Sequence, residues 1–172
     1  MEKIKSVNAK NIAFIGGGAM AEAIIKGILG GGLVAAEHIH VGEHTQQRCD
    51  YLKNIYGVDA VTDNNKAVEN ADLVIFAVKP QIAPKALTAD LIANFKQDAW
   101  VLSIMGSVSL EQLHGYAPGF PVIRTMPNTP LAAGAGMTAI CCDENITEAM
   151  KNDAVAIFGS CGETEEIGRA HV

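Results

Sequence analysis

The amino-acid sequence predicts an α/β fold: a doubly wound, mainly parallel sheet with helices on both faces. Three observations point to it. Apolar runs of strand length alternate with segments of helical periodicity along most of the 172 residues. Leu73-Val74-Ile75-Phe76-Ala77-Val78 is an almost unbroken apolar run, as suits a central parallel strand buried on both sides. Asn11-Ile12-Ala13-Phe14-Ile15 leads directly into Gly16-Gly17-Gly18-Ala19-Met20-Ala21, a strand ending in a glycine turn that opens a helix.

Strands and helices then alternate along the chain. After the first strand, residues 20–29 carry apolar side chains at helical spacing, and Gly30-Gly31-Gly32 ends that helix. His38-Ile39-His40-Val41 reads as a second strand, residues 46–55 as a helix, and Val58-Asp59-Ala60-Val61 as a third strand. Residues 64–70 fit a brief helix before the long apolar fourth strand. Pro80 is placed at the start of the next helix, which runs to about residue 93. Trp100-Val101-Leu102-Ser103-Ile104 is the fifth strand, residues 110–114 a short helix, and Pro121-Val122-Ile123-Arg124 the sixth strand. A further strand is expected over 136–141 and a closing helix over 147–158. No repeat or linker interrupts residues 1–166, which read as one domain.

Composition narrows the function. With 49% hydrophobic residues the chain can bury one core, and it holds no apolar run of membrane-spanning length. Its opening residues lack the apolar stretch of a signal peptide. Cys49, Cys141, Cys142 and Cys161 form no C-x-x-C pair, so no metal site or disulfide framework is expected, and a reducing cytoplasm is. A net charge of −6 and only 5% aromatic residues argue against a nucleic-acid partner.

Gly16, Gly18 and Ala21 stand in G-x-G-x-x-G/A spacing, the fingerprint of a βαβ dinucleotide-binding unit of Rossmann type. The first glycine permits the tight turn, the second lets backbone N–H groups approach a pyrophosphate, and the small third residue lets helix pack on strand. Phosphate then sits at the positive end of the helix dipole. Gly16, Gly17, Gly18, Ala19, Met20 and Ala21 are therefore candidate cofactor contacts. Glu43 and His44 come directly after the second strand, where a carboxylate accepts hydrogen bonds from the adenosine ribose and repels a 2′-phosphate. His44 binds phosphate only when protonated, and Arg48 lies a turn further on. The expected cofactor is NAD(P)H with a slight lean to NADH.

Separated motifs then converge. Phe14-Ile15-Gly16-Gly17-Gly18-Ala19-Met20-Ala21-Glu22-Ala23-Ile24, Asp63-Asn64, Ala77-Val78-Lys79-Pro80-Gln81, Ser103-Ile104 and Val122-Ile123-Arg124-Thr125-Met126-Pro127-Asn128-Thr129-Pro130 occur in this order. In order and spacing they resemble the N-terminal domain of pyrroline-5-carboxylate reductase, a family that reduces a cyclic imine to proline with a nicotinamide cofactor. The resemblance implies that Asn64 meets the adenosine side of the cofactor and that Ala77, Val78, Lys79 and Pro80 line its ribose or pyrophosphate. Met105 and Gly106 would form a third cofactor-lining stretch, although Met105 and Ser107 depart from the small residues usual there. Met126, Pro127, Asn128 and Thr129 would line the cleft between nicotinamide and a cyclic imino acid substrate. By itself the same loop reads equally as a rigid turn, and Asn64 equally as a helix cap.

No catalytic acid stands out: His38, His40 and His114 read as structural or exposed. The family continues into a helical domain that forms the dimer and grips the substrate, whereas residues 167–172 do not match that continuation and read as a short tail. The expectation is a chain that binds the dinucleotide but reduces the imine poorly alone, with a homo-oligomer in the full-length protein. Missing helices should also leave apolar surface around the last strand and helix. The alternatives are a free-standing dinucleotide-binding or regulatory module, and another reductase of the same superfamily, against which the Val-Lys-Pro-Gln and Met-Pro-Asn-Thr-Pro segments argue.

Overall fold

The computed structural model describes residues 6–168. Among these residues eight strands form one sheet: β1 (Ile12–Ile15), β2 (Ile39–Gly42), β3 (Asp59–Val61), β4 (Leu73–Phe76), β5 (Trp100–Ser103), β6 (Val122–Pro127), β7 (Gly136–Cys142) and β8 (Gly162–Glu166). Their spatial order is β3-β2-β1-β4-β5-β6-β7-β8. The first six are mutually parallel, β7 runs antiparallel to β6, and β8 is parallel to β7. Winding proceeds outward from β1 to β3, then restarts at β4 on the other side of β1. That reversal opens a crevice at the carboxyl ends of β1 and β4, where open α/β sheets take their ligands.

Helices cover both faces, as expected. On one face α1 (Ala19–Gly30), α2 (Gln46–Tyr56) and α7 (Glu148–Gly159) pack on Ile12, Phe14, Ile75 and Leu102. On the other, α3 (Asn64–Val68), α4 (Ala83–Ala86), α5 (Ala89–Ile92) and α6 (Leu110–Tyr116) pack on Ala13, Ile15, Phe76 and Val101. Alternate residues of β1 thus feed opposite cores, and all four are buried, which is why the strand reads as continuously apolar. Helix ends obey their local chemistry. Gly57 closes α2 at φ 75°, and Ser109 with Gln112 forms a reciprocal capping box on α6.

Ahead of β1, Asn8 and Ala9 are fastened to the far end of the sequence. The buried Asp153 carboxylate of α7 accepts the Asn8 N–H at 2.7 Å, the Asn8 side-chain amide at 2.9 Å and the Ala9 N–H at 2.9 Å. Buried carboxylate oxygens are thereby satisfied by backbone and amide donors.

Four sequence expectations are corrected. The helix expected from Pro80 to about residue 93 is two four-residue helices, α4 and α5. Thr88 is extended and its hydroxyl accepts the Leu91 N–H at 3.2 Å, so a new N-cap interrupts the helix. Pro80 lies in the preceding turn, in which the Lys79 carbonyl accepts from Ile82 at 2.9 Å. β6 runs on to Pro127, because β7 pairs with it through Pro127 opposite Thr138. β8 has no counterpart among the expected strands, and the Ile167 N–H extends its pairing by bonding Ile140 O at 2.9 Å. Residues 169–172 of the expected tail lie outside the described residues. The apolar surface expected near the last strand and helix is likewise small: among the described residues Met137 is the large hydrophobic exposed there, since β8 covers the β7 edge and presents Glu163, Glu165 and Glu166.

Candidate dinucleotide site

The glycine turn sits in the crevice between β1 and β4. Gly16 adopts φ 103°, and a Cβ there would lie 2.7 Å from the Ala77 carbonyl oxygen, so only glycine fits against the end of β4. Its N–H bonds Gly42 O at 2.8 Å, and the Ala77 N–H bonds Ile15 O at 2.9 Å. Gly18 is the N-cap of α1 and has no side-chain cap, while a Cβ built on it meets nothing within 4 Å. Gly18 and Ala19 are exposed and Met20 half-buried, whereas Ala21 packs into the core at 1% exposure. The N–H groups of the first helical turn have no intrahelical acceptor and point along the positive end of a 12-residue helix. An open, uncapped helix end with clear space above its glycine fits a pyrophosphate.

Gly17 is held from both sides. Its N–H donates to Glu43 Oε2 at 3.0 Å, and its carbonyl accepts from Arg48 Nε at 2.6 Å. Glu43 is therefore turned inward, at 8% exposure, with Oε1 taking the His44 ring nitrogen at 2.8 Å and the Thr45 N–H at 3.4 Å. Glu43 supports the turn, a role the sequence did not show; it pointed only to a ribose contact. His44 is almost wholly exposed at the lip. Arg48 donates through Nη2 to Glu22 Oε1 at 2.7 Å.

Asn64 opens α3 but is not its cap: Asp63 takes that role, accepting the Asn65 N–H at 3.0 Å. Asn64 instead lies on Gly42, where a Cβ would come 2.0 Å from its Oδ1. Val78 is half-buried and packs against the second core cluster, while the Lys79 side chain is exposed. Met105 corrects its expected role. Its side chain is buried at 2% exposure in that same core, next to the exposed Gly106.

Beside them β6 supplies residues to which the sequence assigned no role. Arg124, 7% exposed, donates from Nε to Val108 O at 2.8 Å and from Nη2 to Gly106 O at 2.5 Å. The Thr125 hydroxyl donates to Ser103 O at 2.7 Å, and Ser103 Oγ accepts the Met105 N–H at 3.1 Å. Together they fix the loop after β5. The available signal was a charged residue inside an apolar strand, which a buried position must satisfy with acceptors. At the end of β6, Met126 and Pro127 are half-buried and Asn128 and Thr129 exposed. Asn128 Oδ1 accepts the Met137 N–H at 3.0 Å, so this oxygen stiffens the turn.

His38 and His40 lie at the amino end of β2, where His40 Nδ1 meets Asp59 at 2.9 Å, and His114 on α6 meets Asp143 at 3.3 Å. None of these three is at the crevice. Among the described residues no group of His, Cys, Asp and Glu is arranged to hold a metal ion, and no helix is long and apolar enough to cross a membrane.

A doubly wound sheet with an uncapped glycine-rich helix end at its switch point defines a domain of the Rossmann dinucleotide-binding type. Residues 11–107 match the model of the NADP oxidoreductase, coenzyme F420-dependent family, and the chain belongs to that family. The match stops before the Met126–Pro130 loop. Similarity to named enzymes runs through that loop: the chain is 37% identical over 156 residues to a pyrroline-5-carboxylate reductase of Synechocystis, covering 91% of this chain and 58% of the relative. Among solved structures it is similar to a pyrroline-5-carboxylate reductase from Coxiella burnetii, with TM-score 0.85 and 29% identity over 92% of this chain and 58% of that one. It is also similar to a Plasmodium falciparum pyrroline carboxylate reductase solved with NADP bound, with TM-score 0.79 and 26% identity over 92% of this chain and 57% of that one. The chain thus spans less than two thirds of the length of these relatives.

Proposed function

We propose that this chain is the nicotinamide-dinucleotide half of a pyrroline-5-carboxylate reductase, which reduces a cyclic imino acid to proline. The observation that carries the reading is similarity continuing from the glycine turn through the Met126-Pro127-Asn128-Thr129 loop to relatives of that name. In this reading the amides at the start of α1 take the pyrophosphate and Gly16 lets the turn lie against Ala77. Glu43, with His44 and Asn64 around it, receives the adenosine ribose. Val78, Lys79, Pro80 and the backbone of Met105 and Gly106 border the nicotinamide side, and Met126 to Thr129 the imine. The nicotinamide supplies the hydride when bound; the chain's own contribution is orientation of the ring and the imine over one another. A carboxylate at the end of β2 favours a free 2′-hydroxyl, so NADH is the preferred form. A cytoplasmic setting and self-association of the full-length protein belong to the same reading.

Calorimetric titration with NADH and NADPH, followed by an imine-reduction assay on the same sample, tests it. NADH binding tighter than NADPH is expected, with weak turnover. Binding of neither nucleotide refutes the reading and leaves a module with another ligand.

A further inference from the structure

In the proposed reading Arg48 stands beside the ribose, but its Nε and Nη2 donors are directed elsewhere. Besides the Gly17 carbonyl and Glu22, its guanidinium lies 4.8 Å from the centroid of the Tyr51 ring. Glu22 Oε2 accepts in turn from the Tyr51 hydroxyl at 2.8 Å and the Tyr56 hydroxyl at 2.5 Å. Three residues of α2 therefore converge on one carboxylate of α1. Burial pushes the Glu22 carboxyl up, but hydrogen bonds from Tyr56, Tyr51 and Arg48 outweigh it and hold the group below its ordinary 4.5, so Glu22 is an anion near neutral pH. The Glu22 anion thus neutralises the Arg48 guanidinium, while the neighbouring Glu43 carboxylate is bonded to the Gly17 N–H and the His44 ring.

We infer that Glu22 selects the cofactor: by holding Arg48 against α1 it withholds that guanidinium from a 2′-phosphate and biases the site towards the dinucleotide with a free 2′-hydroxyl. This rests on the proposed dinucleotide reading. Glu22 touches no part of the ligand in this arrangement; it is a positioning residue acting through Arg48. Arg48 is then a latent phosphate ligand, since an arginine near the end of β2 is the group that accommodates a 2′-phosphate in this fold class.

Fluorescence titration of the 172-residue chain with NADH and NADPH, for wild type, E22Q and E22Q/R48Q, tests the inference. E22Q should improve NADPH binding relative to NADH by about tenfold. The gain should shrink as salt is raised, as an ionic contact on an open ledge requires. E22Q/R48Q restores the original charge balance and should return the ratio to that of wild type. If E22Q does not fold, Glu22→Asp, one methylene too short to hold Arg48 and both tyrosines, should shift the ratio in the same direction. A merely structural Glu22 would weaken both nucleotides equally. An unmoved ratio in a folded variant, or a gain that survives in E22Q/R48Q, overturns the inference while the dinucleotide reading stands. Failure of wild type to bind either nucleotide overturns both.

Discussion

Alanine at Gly18 separates what the fold needs from what the ligand needs. The backbone there, at φ −77° and ψ −168°, is open to any L-residue, and an added Cβ meets no heavy atom within 4 Å. Alanine is a poorer N-cap than glycine, a cost of roughly 0.5–1 kcal/mol. The stiffer unfolded chain returns about 0.4–1 kcal/mol. These offset, so G18A should melt within about 2 °C of wild type. The new methyl nevertheless occupies the space into which a pyrophosphate must come. NADH affinity should fall by about 10- to 100-fold, or about 1.4–2.7 kcal/mol. Gly16 supplies the contrast. At φ 103°, with a Cβ 2.7 Å from the Ala77 oxygen, alanine carries strain of about 1–3 kcal/mol before that overlap is counted. G16A should therefore melt several degrees lower. Thermal unfolding and NADH titration on the same preparations measure both quantities. If G18A folds normally and binds NADH as tightly as wild type, the phosphates do not lie on this ledge.

Two polar networks, one buried and one partly exposed, give further expected outcomes. Arg124→Met keeps the apolar stem but strips the Gly106 and Val108 carbonyls of their donor, and should cost about 2–4 kcal/mol in urea unfolding; a loss under about 0.5 kcal/mol would show that the loop after β5 holds without it. Burial raises the Asp72 carboxyl, but the hydrogen bond from Lys96 and the N–H groups of Asn11 and Lys10 outweigh it and hold the group below its ordinary 3.8. Its folded-state value is thus depressed, so its stabilisation is present above that ordinary value and fades as pH falls through the folded one. D72N should lose about 1–2 kcal/mol at pH 7 and show a shallower acid limb; identical limbs for both proteins would contradict this.

Legibility tracked how local each signal was. β1, the glycine turn and α1 were readable because burial on both faces, the turn and the helix period are all written within one short stretch. β8 was not: Gly-Glu-Thr-Glu-Glu carries no apolar alternation, and it is a strand because β7 offers it an edge. The break between α4 and α5 rested on one hydroxyl, that of Thr88, whose capping competes with helix continuation. At the candidate site the glycines and Glu43 could be named, but not that Glu43 props Gly17, nor that Met105 turns into the core. Arg124 stood within the quoted motif, yet its partners are carbonyls 16 and 18 residues away, visible only once β5 and β6 lie side by side.

Most of the molecule is assembled from neighbours in sequence, strand to helix to strand, yet the contact between Asn8 and Asp153 spans 145 residues. The lead-in to the central strand is completed only by α7. Closing so long a loop costs chain entropy that nearer contacts do not, so this tie is expected to form after the local strand and helix contacts. During synthesis β1 can pair with β2 and β4 before α7 emerges, whereas Asn8 and Ala9 wait for Asp153. A chain ending before Asp153 should therefore keep the glycine turn but exchange the Asn8 and Ala9 amide hydrogens with solvent faster than the intact chain.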